Sequence, residues 1–256
     1  MNETIAEQKA KSSWAWKLGL IGLVGVAGAI IVGLIAMTLA RYDMIDKITG
    51  FIGFVGAQPF VLGGGAIALV GLGIGLIRKS GPKWPAILAL VLTAAMVGAL
   101  WLGIRVPASK VPPMHDITTD VDDPPAFVAW TLREDNLEPV FQSMEEWRAM
   151  HRAEYPDIKP IVMRQSPTEV LAIARALAEQ RGWTITDSNP QAGRLEAIAY
   201  AGYIRFRDHV VVEVTPIDDG STRVDMRSTS EVGVSDLGYN ARRIEEFLTA
   251  LSNSGG

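Results

Sequence analysis

Three long apolar stretches dominate the N-terminal part of this chain and constrain what it can fold into. They cover residues 18–40, 60–77 and 84–104, and none of them contains Asp, Glu, Lys or Arg. In a helix that rises 1.5 Å per residue, about 20 apolar residues cross the roughly 30 Å hydrocarbon core of a bilayer. We therefore predict that residues 1–106 form a membrane anchor of three transmembrane helices, at about 18–40, 57–77 and 84–104.

The two halves of the chain carry opposite net charge. Residues 1–110 hold 10 basic and 4 acidic residues, a net charge of +6, whereas residues 111–256 hold 14 and 24, a net charge of −10. A basic half next to the bilayer suits anionic lipid headgroups, and an acidic domain is poorly suited to bind nucleic acid. The chain has no cysteine, which excludes disulfides, thiolate metal sites and cysteine nucleophiles.

The basic residues that flank the spans predict the orientation of the protein. With three spans, the N-terminal segment and the loop 78–83 share one side and carry six Lys and Arg residues, against four on the other side. Positive charge accumulates on the cytoplasmic side of a membrane. We expect a multi-pass protein of the inner (plasma) membrane with a cytoplasmic N-terminus and a periplasmic or extracytoplasmic C-terminal domain.

The predicted spans are rich in glycine and lack ionisable side chains. Gly71 and Gly75 form a G-x-x-x-G pair, which lets two helices approach closely, so we expect homo-oligomerisation through the Gly-rich helices. An ion or proton pathway would normally need an ionisable residue within a span. The spans therefore indicate an anchor embedded in the lipid bilayer and not a transporter.

Residues 107–126 are rich in proline and aspartate and predict an extended linker ahead of a folded domain at 127–256. Dense carboxylates can ligate a hard cation such as calcium, and the weak candidates here are His115, Asp116, Asp120, Asp122 and Asp123. Their spacing matches no EF-hand loop and the required glycine is missing. We therefore predict no metal site and no cofactor, and we interpret this segment as solvated turns.

Short strands and amphipathic helices follow the linker. Period-2 and helical patterns predict strands at about 160–163, 183–187, 194–203, 210–215 and 222–230, and helices at about 141–154, 166–182 and 236–251. Asp218-Asp219-Gly220 predicts a hairpin turn that places Val214 opposite Val224. Runs of antiparallel strands flanked by helices indicate an α+β fold, a two-layer domain with a mainly antiparallel sheet.

The predicted hairpin has two different faces. Valines at alternate positions, with Met226 and Ser228, make the face that we expect to be buried. The opposite face carries charges of alternating sign, which we expect to form a weakly stabilising ladder: Glu213, Arg223, Asp225 and Arg227.

Two segments of this domain carry a distinctive pattern: residues 115–120 with Pro-Pro-Ala-Phe at 124–127, and residues 224–230 with 232–244. In these segments the chain resembles the uncharacterised family known as domain-of-unknown-function family fourteen ninety-nine. The resemblance covers about residues 111–251 and implies this type of domain, often behind an N-terminal membrane segment, with no assigned activity. Family members usually have arginine where this chain has Glu231, and a second acidic residue where it has His209.

The second of these segments joins a strand end to a helix start and is our candidate ligand site. A helix N-terminus offers free N–H groups and partial positive charge, which suits an anion. The candidate ligand-binding residues are Arg227, Ser228, Ser230, Ser235, Asp236, Asn240 and Arg243. In the alternative, structural interpretation, Asp236 caps its own helix and Arg227 pairs with Asp225 or Glu213.

These observations favour a binding protein over an enzyme. The sequence contains no G-x-S-x-G, no H-E-x-x-H and no phosphate-binding loop. We expect the extramembrane domain to bind a membrane or envelope protein partner, or a small anionic or lipid-like envelope ligand, without catalysis. The alternatives are a membrane-anchored hydrolase that uses Ser228 and Asp236 with His115 or His209, and a structural assembly factor for a membrane complex.

Overall fold

Long apolar helices build the first of the two units into which the chain divides, Met1–Val106, and the second unit is Pro107–Gly256. The computed structural model describes residues 2–217 and 220–254, with side chains from residue 14 onward. The helices of the first unit are α1 (Asn2–Arg41), α2 (Lys47–Val55), α3 (Gln58–Ile77) and α4 (Trp84–Leu100), which continues through a π-helical turn (Trp101–Arg105) into the short α5 (Val106–Ala108).

Three helical stretches of the first unit are long and apolar enough to cross a membrane, which confirms the predicted number of spans. They are Trp14–Arg41, Lys47–Ile77 and Trp84–Ala108. The second stretch consists of α2 and α3, with an interruption at Gly56 and Ala57 just before Pro59. Because proline has no N–H and fixes φ, it fits the first turn of α3 but not the interior of a longer helix.

Glycines let α1 and α3 approach closely within one chain. A Cβ placed on Gly22 would lie 2.6 Å from the carbonyl oxygen of Gly64, and one on Gly71 would lie 2.8 Å from the amide nitrogen of Gly19. Both distances are too short for a real Cβ, so these positions require glycine. The first glycine of the G-x-x-x-G pair therefore serves packing inside the unit, and oligomerisation through the Gly-rich helices stays a prediction.

A six-stranded antiparallel sheet forms the second unit, which confirms the predicted α+β class. The strands are β1 (Asp116–Thr118), β2 (Ile161–Met163), β3 (Thr184–Asn189), β4 (Arg194–Ala201), β5 (Phe206–Pro216) and β6 (Thr222–Ser230). Their order is β1-β6-β5-β4-β3, and β2 also pairs with β6. The helices of this unit are α6 (Met144–Glu154), α7 (Pro167–Gln180) and α8 (Tyr239–Ser254).

The hydrophobic core lies between one face of the sheet and these helices. Val214 pairs with Val224 as predicted, while the turn residues Asp218 and Asp219 lie outside the described residues. Val224, Met226 and Phe247 are fully buried in this core. The predicted capping box begins α7, because Ser166 and Glu169 each accept a hydrogen bond from the other's backbone N–H.

The other face of the sheet is also covered, which corrects two expectations. Segment 107–126 is not only a linker, because it supplies β1, which pairs with residues 227–229 of β6. Arg227 and Asp225 of the expected charge ladder are buried. The following segment 119–136, here named the strap, packs over this face, where the Val128 and Ala129 N–H groups donate to the buried carboxylate of Glu196 at 2.7 and 3.0 Å.

Candidate functional site

Polar residues form a buried cluster beneath the strap, around Asp116 of β1. Arg227 donates two hydrogen bonds to its carboxylate, from Nε at 2.9 Å and from Nη2 at 2.7 Å. Asn136 of the strap donates to the same carboxylate at 2.7 Å. The Arg227 guanidinium also lies over the Phe127 ring, 5.5 Å from its centroid. Every strong contact of Arg227 is therefore with its own domain.

The charge of Arg227 is compensated inside this cluster. Burial acts to lower the pKa of Arg227, but the Asp116 carboxylate outweighs this effect and raises the pKa above its usual value. Arg227 therefore pairs with Asp116. The structural interpretation had predicted Asp225 or Glu213 as its partner, and that part of it was wrong. Asp225 instead accepts hydrogen bonds from Arg223 at 2.6 and 3.0 Å.

His115 is a structural member of the same cluster. Its Nε2 lies 2.9 Å from the Asn136 carbonyl oxygen, and its Nδ1 lies 3.4 Å from the Thr229 hydroxyl. Burial lowers the pKa of His115, so the ring is neutral at neutral pH. A neutral imidazole held by these two partners positions the start of β1.

A second cluster lies on the helix side of β6, where α8 begins. Ser228 donates to Asn240 Oδ1 at 2.6 Å and accepts from Arg243 Nη1 at 3.0 Å. Asn240 donates to Ser230 Oγ at 3.0 Å, and Arg243 Nη2 donates to the buried carboxylate of Asp208 at 2.5 Å. Thus Ser228, Ser230, Asn240 and Arg243 of the candidate ligand site come together, while the sheet separates them from Arg227, and their role in binding stays a prediction.

Asp236 caps α8, and Ser235 lies beside it in the preceding loop. The two Asp236 carboxylate oxygens accept from the Gly238 and Asn240 N–H groups at 2.9 and 2.5 Å, while Ser235 Oγ accepts from Leu237 N–H at 3.5 Å. Burial raises the pKa of Asp236 to about 6, although the two backbone hydrogen bonds favour the charged form.

The geometry does not assemble a Ser–His–Asp arrangement. Ser228 is bonded to Asn240 and Arg243, and Asp236 to backbone N–H groups. His209 lies on the strap side, where its ring stacks on Trp130 with a centroid separation of 3.8 Å. The alternative hydrolase would need a histidine within hydrogen-bond reach of the serine hydroxyl.

Most of the residues considered as weak metal ligands have other side-chain partners. Asp116 pairs with Arg227, while Asp120 accepts from the Asp122 and Asp123 N–H groups and from Arg223. Asp122 pairs with Arg152 at 2.5 Å. Within residues 14–217 and 220–254, no group of three or more histidine and carboxylate side chains is arranged to hold a metal ion.

An arginine-lined groove lies next to the second cluster, and Arg243 belongs to both. It has a volume of about 270 Å³, and we name it the arginine groove; it is lined by Arg181, Trp183, Tyr239, Arg242, Arg243 and Glu246. Three arginines and one carboxylate thus line the groove, and Asp208 supplies a second carboxylate to Arg243 from the polar cluster behind it. The groove therefore brings three cations close to two carboxylates in a domain that otherwise has an excess of acidic residues.

Two of the three arginines of the groove contact a carboxylate, Arg243 that of Asp208 and Arg242 that of Glu246, whereas Arg181 bonds a backbone carbonyl. Arg181 donates to the Glu246 backbone carbonyl at 2.9 Å, and Arg242 lies 3.8 Å from the Glu246 carboxylate. Burial lowers the pKa of Arg181, and Glu246 opposes this effect only in part. Arg242 also lies over the Tyr239 ring, 4.7 Å from its centroid. An anion in the groove would supply the missing negative charge.

Of the residues that line the groove, the sequence prediction named only Arg243 and missed the other five: Arg181, Trp183, Tyr239, Arg242 and Glu246. Arg181 and Trp183 follow the end of α7, whereas Arg242 and Arg243 lie in the first turns of α8. Only the packing of α7 against α8 brings the two groups together. The adjacent pair Arg242-Arg243 was the one local signal of the groove.

Two positions at which the resemblance implies different residues contact each other. His209 Nε2 lies 3.5 Å from a carboxylate oxygen of Glu231, and Arg207 lies 3.5 Å from the other. The resemblance implies an acid at 209 and an arginine at 231, so this chain has the acidic and basic members of the pair exchanged. A contact of opposite charge is preserved whenever His209 is protonated.

No curated protein matches the chain. One family matches residues 116–251, from β1 to α8, and is described as a protein of unknown function (DUF1499). The match covers the sheet, both polar clusters and the arginine groove, and it extends over more than half of the chain. The chain therefore belongs to the DUF1499 family of proteins of unknown function.

Proposed function

We propose that this protein is a membrane-anchored binding protein whose extramembrane domain holds a small anionic group in the arginine groove without catalysing a reaction. The observation that carries the proposal is the meeting of Arg181, Arg242 and Arg243 around one cavity, which Glu246 lines and behind which Asp208 holds Arg243. Guanidinium groups present several N–H donors in a plane, which suits the oxygens of a phosphate or carboxylate.

The side chains between the arginines support an organic anion. Trp183 and Tyr239 line the groove with ring surfaces, so a ligand can place an apolar part beside its charged group. Trp183 is held by stacking on Phe247, at a centroid separation of 5.0 Å. A prearranged aromatic surface next to fixed cations lowers the ordering cost of binding.

The polar cluster behind the groove supports binding and not chemistry. Arg243 is held by Asp208 and Ser228, so its guanidinium has one fixed position. Ser228 is fully buried and donates its hydroxyl hydrogen to Asn240. A serine used in this way fixes an arginine and is poorly placed to act as a nucleophile.

The membrane anchor and the distribution of its flanking basic residues indicate on which side of the membrane the domain would meet its ligand. We place the protein in the inner membrane with the N-terminus in the cytoplasm, because six flanking basic residues lie on that side against four. The domain would then meet lipid headgroups, envelope fragments or an envelope protein carrying an anionic group. A C-terminal alkaline phosphatase fusion should be active and a fluorescent protein fusion dark; the reverse pattern would show a cytoplasmic domain.

Calorimetric titration of inorganic phosphate and of glycerol phosphate tests the groove directly. The full chain is placed in nanodiscs of phosphatidylcholine, which supply no anionic headgroup. We expect both probes to bind, and Arg181→Ala with Arg242→Ala to weaken binding at least about tenfold, because each lost charged hydrogen bond contributes about 1.5 kcal/mol or more.

The matched control is Arg175→Ala with Arg194→Ala, which removes the same charge outside the groove. Arg175 lies on α7 in an exposed pair with Glu179. If both double variants lower affinity equally, binding reflects net charge alone and the groove has no special role. If neither probe binds the wild-type chain, the proposal is wrong.

A further inference from the structure

A second cleft lies on the side of the domain where the strap meets α6. It has a volume of about 390 Å³ and is bounded by the strap, the end of α6, the loop that follows α6, and Arg223 of β6. It shares no lining residue with the arginine groove. We name it the strap cleft, and its chemistry differs from that of the groove.

The charges of the strap cleft compensate each other in pairs. Arg152 contacts Asp122 at 2.5 Å, and Arg223 contacts Asp120 at 2.7 Å. Arg223 also donates to Asp225, behind the cleft, and Lys159 is the one further cation of the lining. The lining therefore holds three cations against two carboxylates, four of them in ion pairs, and offers many hydrogen-bond donors and acceptors side by side.

The uncharged surfaces of the cleft complete this pattern. Tyr155, Pro156 and Pro160 contribute an aromatic ring and two pyrrolidine rings to the lining. His151 also lines the cleft and is neutral at neutral pH, because burial lowers its pKa to about 4. Its Nε2 accepts from the Thr118 N–H at 3.1 Å, so the buried ring is held as part of the wall behind the cleft.

A ligand that matches this lining has several hydroxyl groups, little or no charge, and apolar C–H faces that can pack on the Tyr155 ring and the two prolines. Each hydroxyl can donate to a carboxylate and accept from a neighbouring guanidinium, so paired Asp and Arg side chains suit it on both counts. An anion would instead have to displace Asp120 and Asp122 from Arg223 and Arg152. We propose that the strap cleft is a binding site for a neutral saccharide, separate from the arginine groove.

A neighbouring cavity extends the cleft toward α8. It has a volume of about 330 Å³, shares Ile158 and Lys159 with the strap cleft, and is lined on its far side by Thr249, Ser252 and Asn253. Lys159 is the only lysine in residues 111–256. Two adjoining cavities of mixed polarity give room for a saccharide of more than one unit.

Saturation-transfer NMR and calorimetry test the proposal with maltose, lactose and diacetylchitobiose as probes. The full chain is held in phosphatidylcholine nanodiscs, because alkyl glycoside detergents would themselves offer sugars to the cleft. We expect at least one probe to bind, and Arg152→Ala with Lys159→Ala to weaken it at least about tenfold. Thermal unfolding of the variant checks that the domain is intact, and Arg175→Ala serves as the control.

Three outcomes would overturn the proposal. The first is that none of the probes binds the folded wild-type chain at about 50 mM, which corresponds to a negligible affinity. The second is that the double variant binds the probes as tightly as the wild-type chain. The third is that inorganic phosphate displaces the saccharide, which would make the cleft an anion site. The Arg181→Ala with Arg242→Ala variant separates the two proposals, since it should lose phosphate binding and keep saccharide binding.

Discussion

Asp116 and Arg227 lie 111 positions apart in the chain and form a two-point ion pair between β1 and β6, at 2.9 and 2.7 Å. Both side chains are buried, with exposed fractions of 2% and 11%. The pair therefore holds the start of the strap on the sheet. Burying two charges is costly, and each member is tolerated only because the other is present.

Loss of one member of this pair should destabilise the domain strongly. Asp116→Ala leaves the Arg227 guanidinium buried without a counter-charge, and we expect a loss of about 3–5 kcal/mol in the free energy of unfolding. The measurement is denaturant unfolding of the purified full chain. Asp122→Ala breaks an exposed pair with Arg152 and should cost less than about 1 kcal/mol. Equal effects of the two changes would show that the buried pair has no special weight.

The domain should lose stability in mild acid because of His151. Its folded pKa of about 4 lies below the ordinary value of 6.5, so the unfolded chain binds the proton more tightly. The stabilisation is present above pH 6.5 and is lost as the pH falls toward 4, by on the order of 3 kcal/mol. His151→Gln keeps an acceptor for the Thr118 N–H and should flatten the pH profile of thermal unfolding. Parallel profiles for variant and wild type would contradict this assignment.

Asp236 should act in the opposite direction over the same pH range. Its folded pKa of about 6 lies above the ordinary value of 3.8, so the folded state binds the proton more tightly. Its contribution is fully present below pH 3.8 and is lost as the pH rises through 6. As the pH falls from 7 to 4, the free energy of unfolding of the wild-type chain should therefore rise by about 1–3 kcal/mol relative to that of Asp236→Asn. A stability difference that does not change with pH would rule out this role.

Packing of α1 on α3 should depend on individual glycines. A Cβ on Gly22 would lie 2.6 Å from the Gly64 carbonyl oxygen, so Gly22→Ala must push the two helices apart at a cost of about 1–3 kcal/mol. A Cβ on Gly28 meets nothing within 4 Å, which makes Gly28→Ala the matched control. Thermal unfolding in one detergent compares them. A lower melting temperature for the Gly28 variant than for the Gly22 variant would be inconsistent with this packing.

Local pattern predicted most of the elements in this chain. The apolar runs gave three candidate spans, the capping box placed the start of α7 at Ser166, and alternation placed β6 at 222–230 with Val214 opposite Val224. Each of these features depends on residues that are close in sequence. Local physical chemistry therefore decides them before tertiary packing does.

Long-range contacts explain what the sequence did not predict. β1 has three residues within a proline- and aspartate-rich segment, and it is a strand only because β6 pairs with it. The alternating charges of β6 predict a solvent-exposed face, but the strap covers this face and Asp116 neutralises Arg227. The arginine groove forms where the C-terminal end of α7 meets the first turns of α8. No local sequence pattern predicts that these two segments lie close together.

Diffraction from crystals of the full chain soaked in sodium tungstate would test the central claim most directly, because tungsten in this oxyanion gives a strong anomalous signal. The account predicts an anomalous peak in the arginine groove, within contact distance of Arg181, Arg242 and Arg243, and its loss in the Arg181→Ala with Arg242→Ala variant. An empty groove in the wild-type chain, or a peak that persists in the variant, would contradict it.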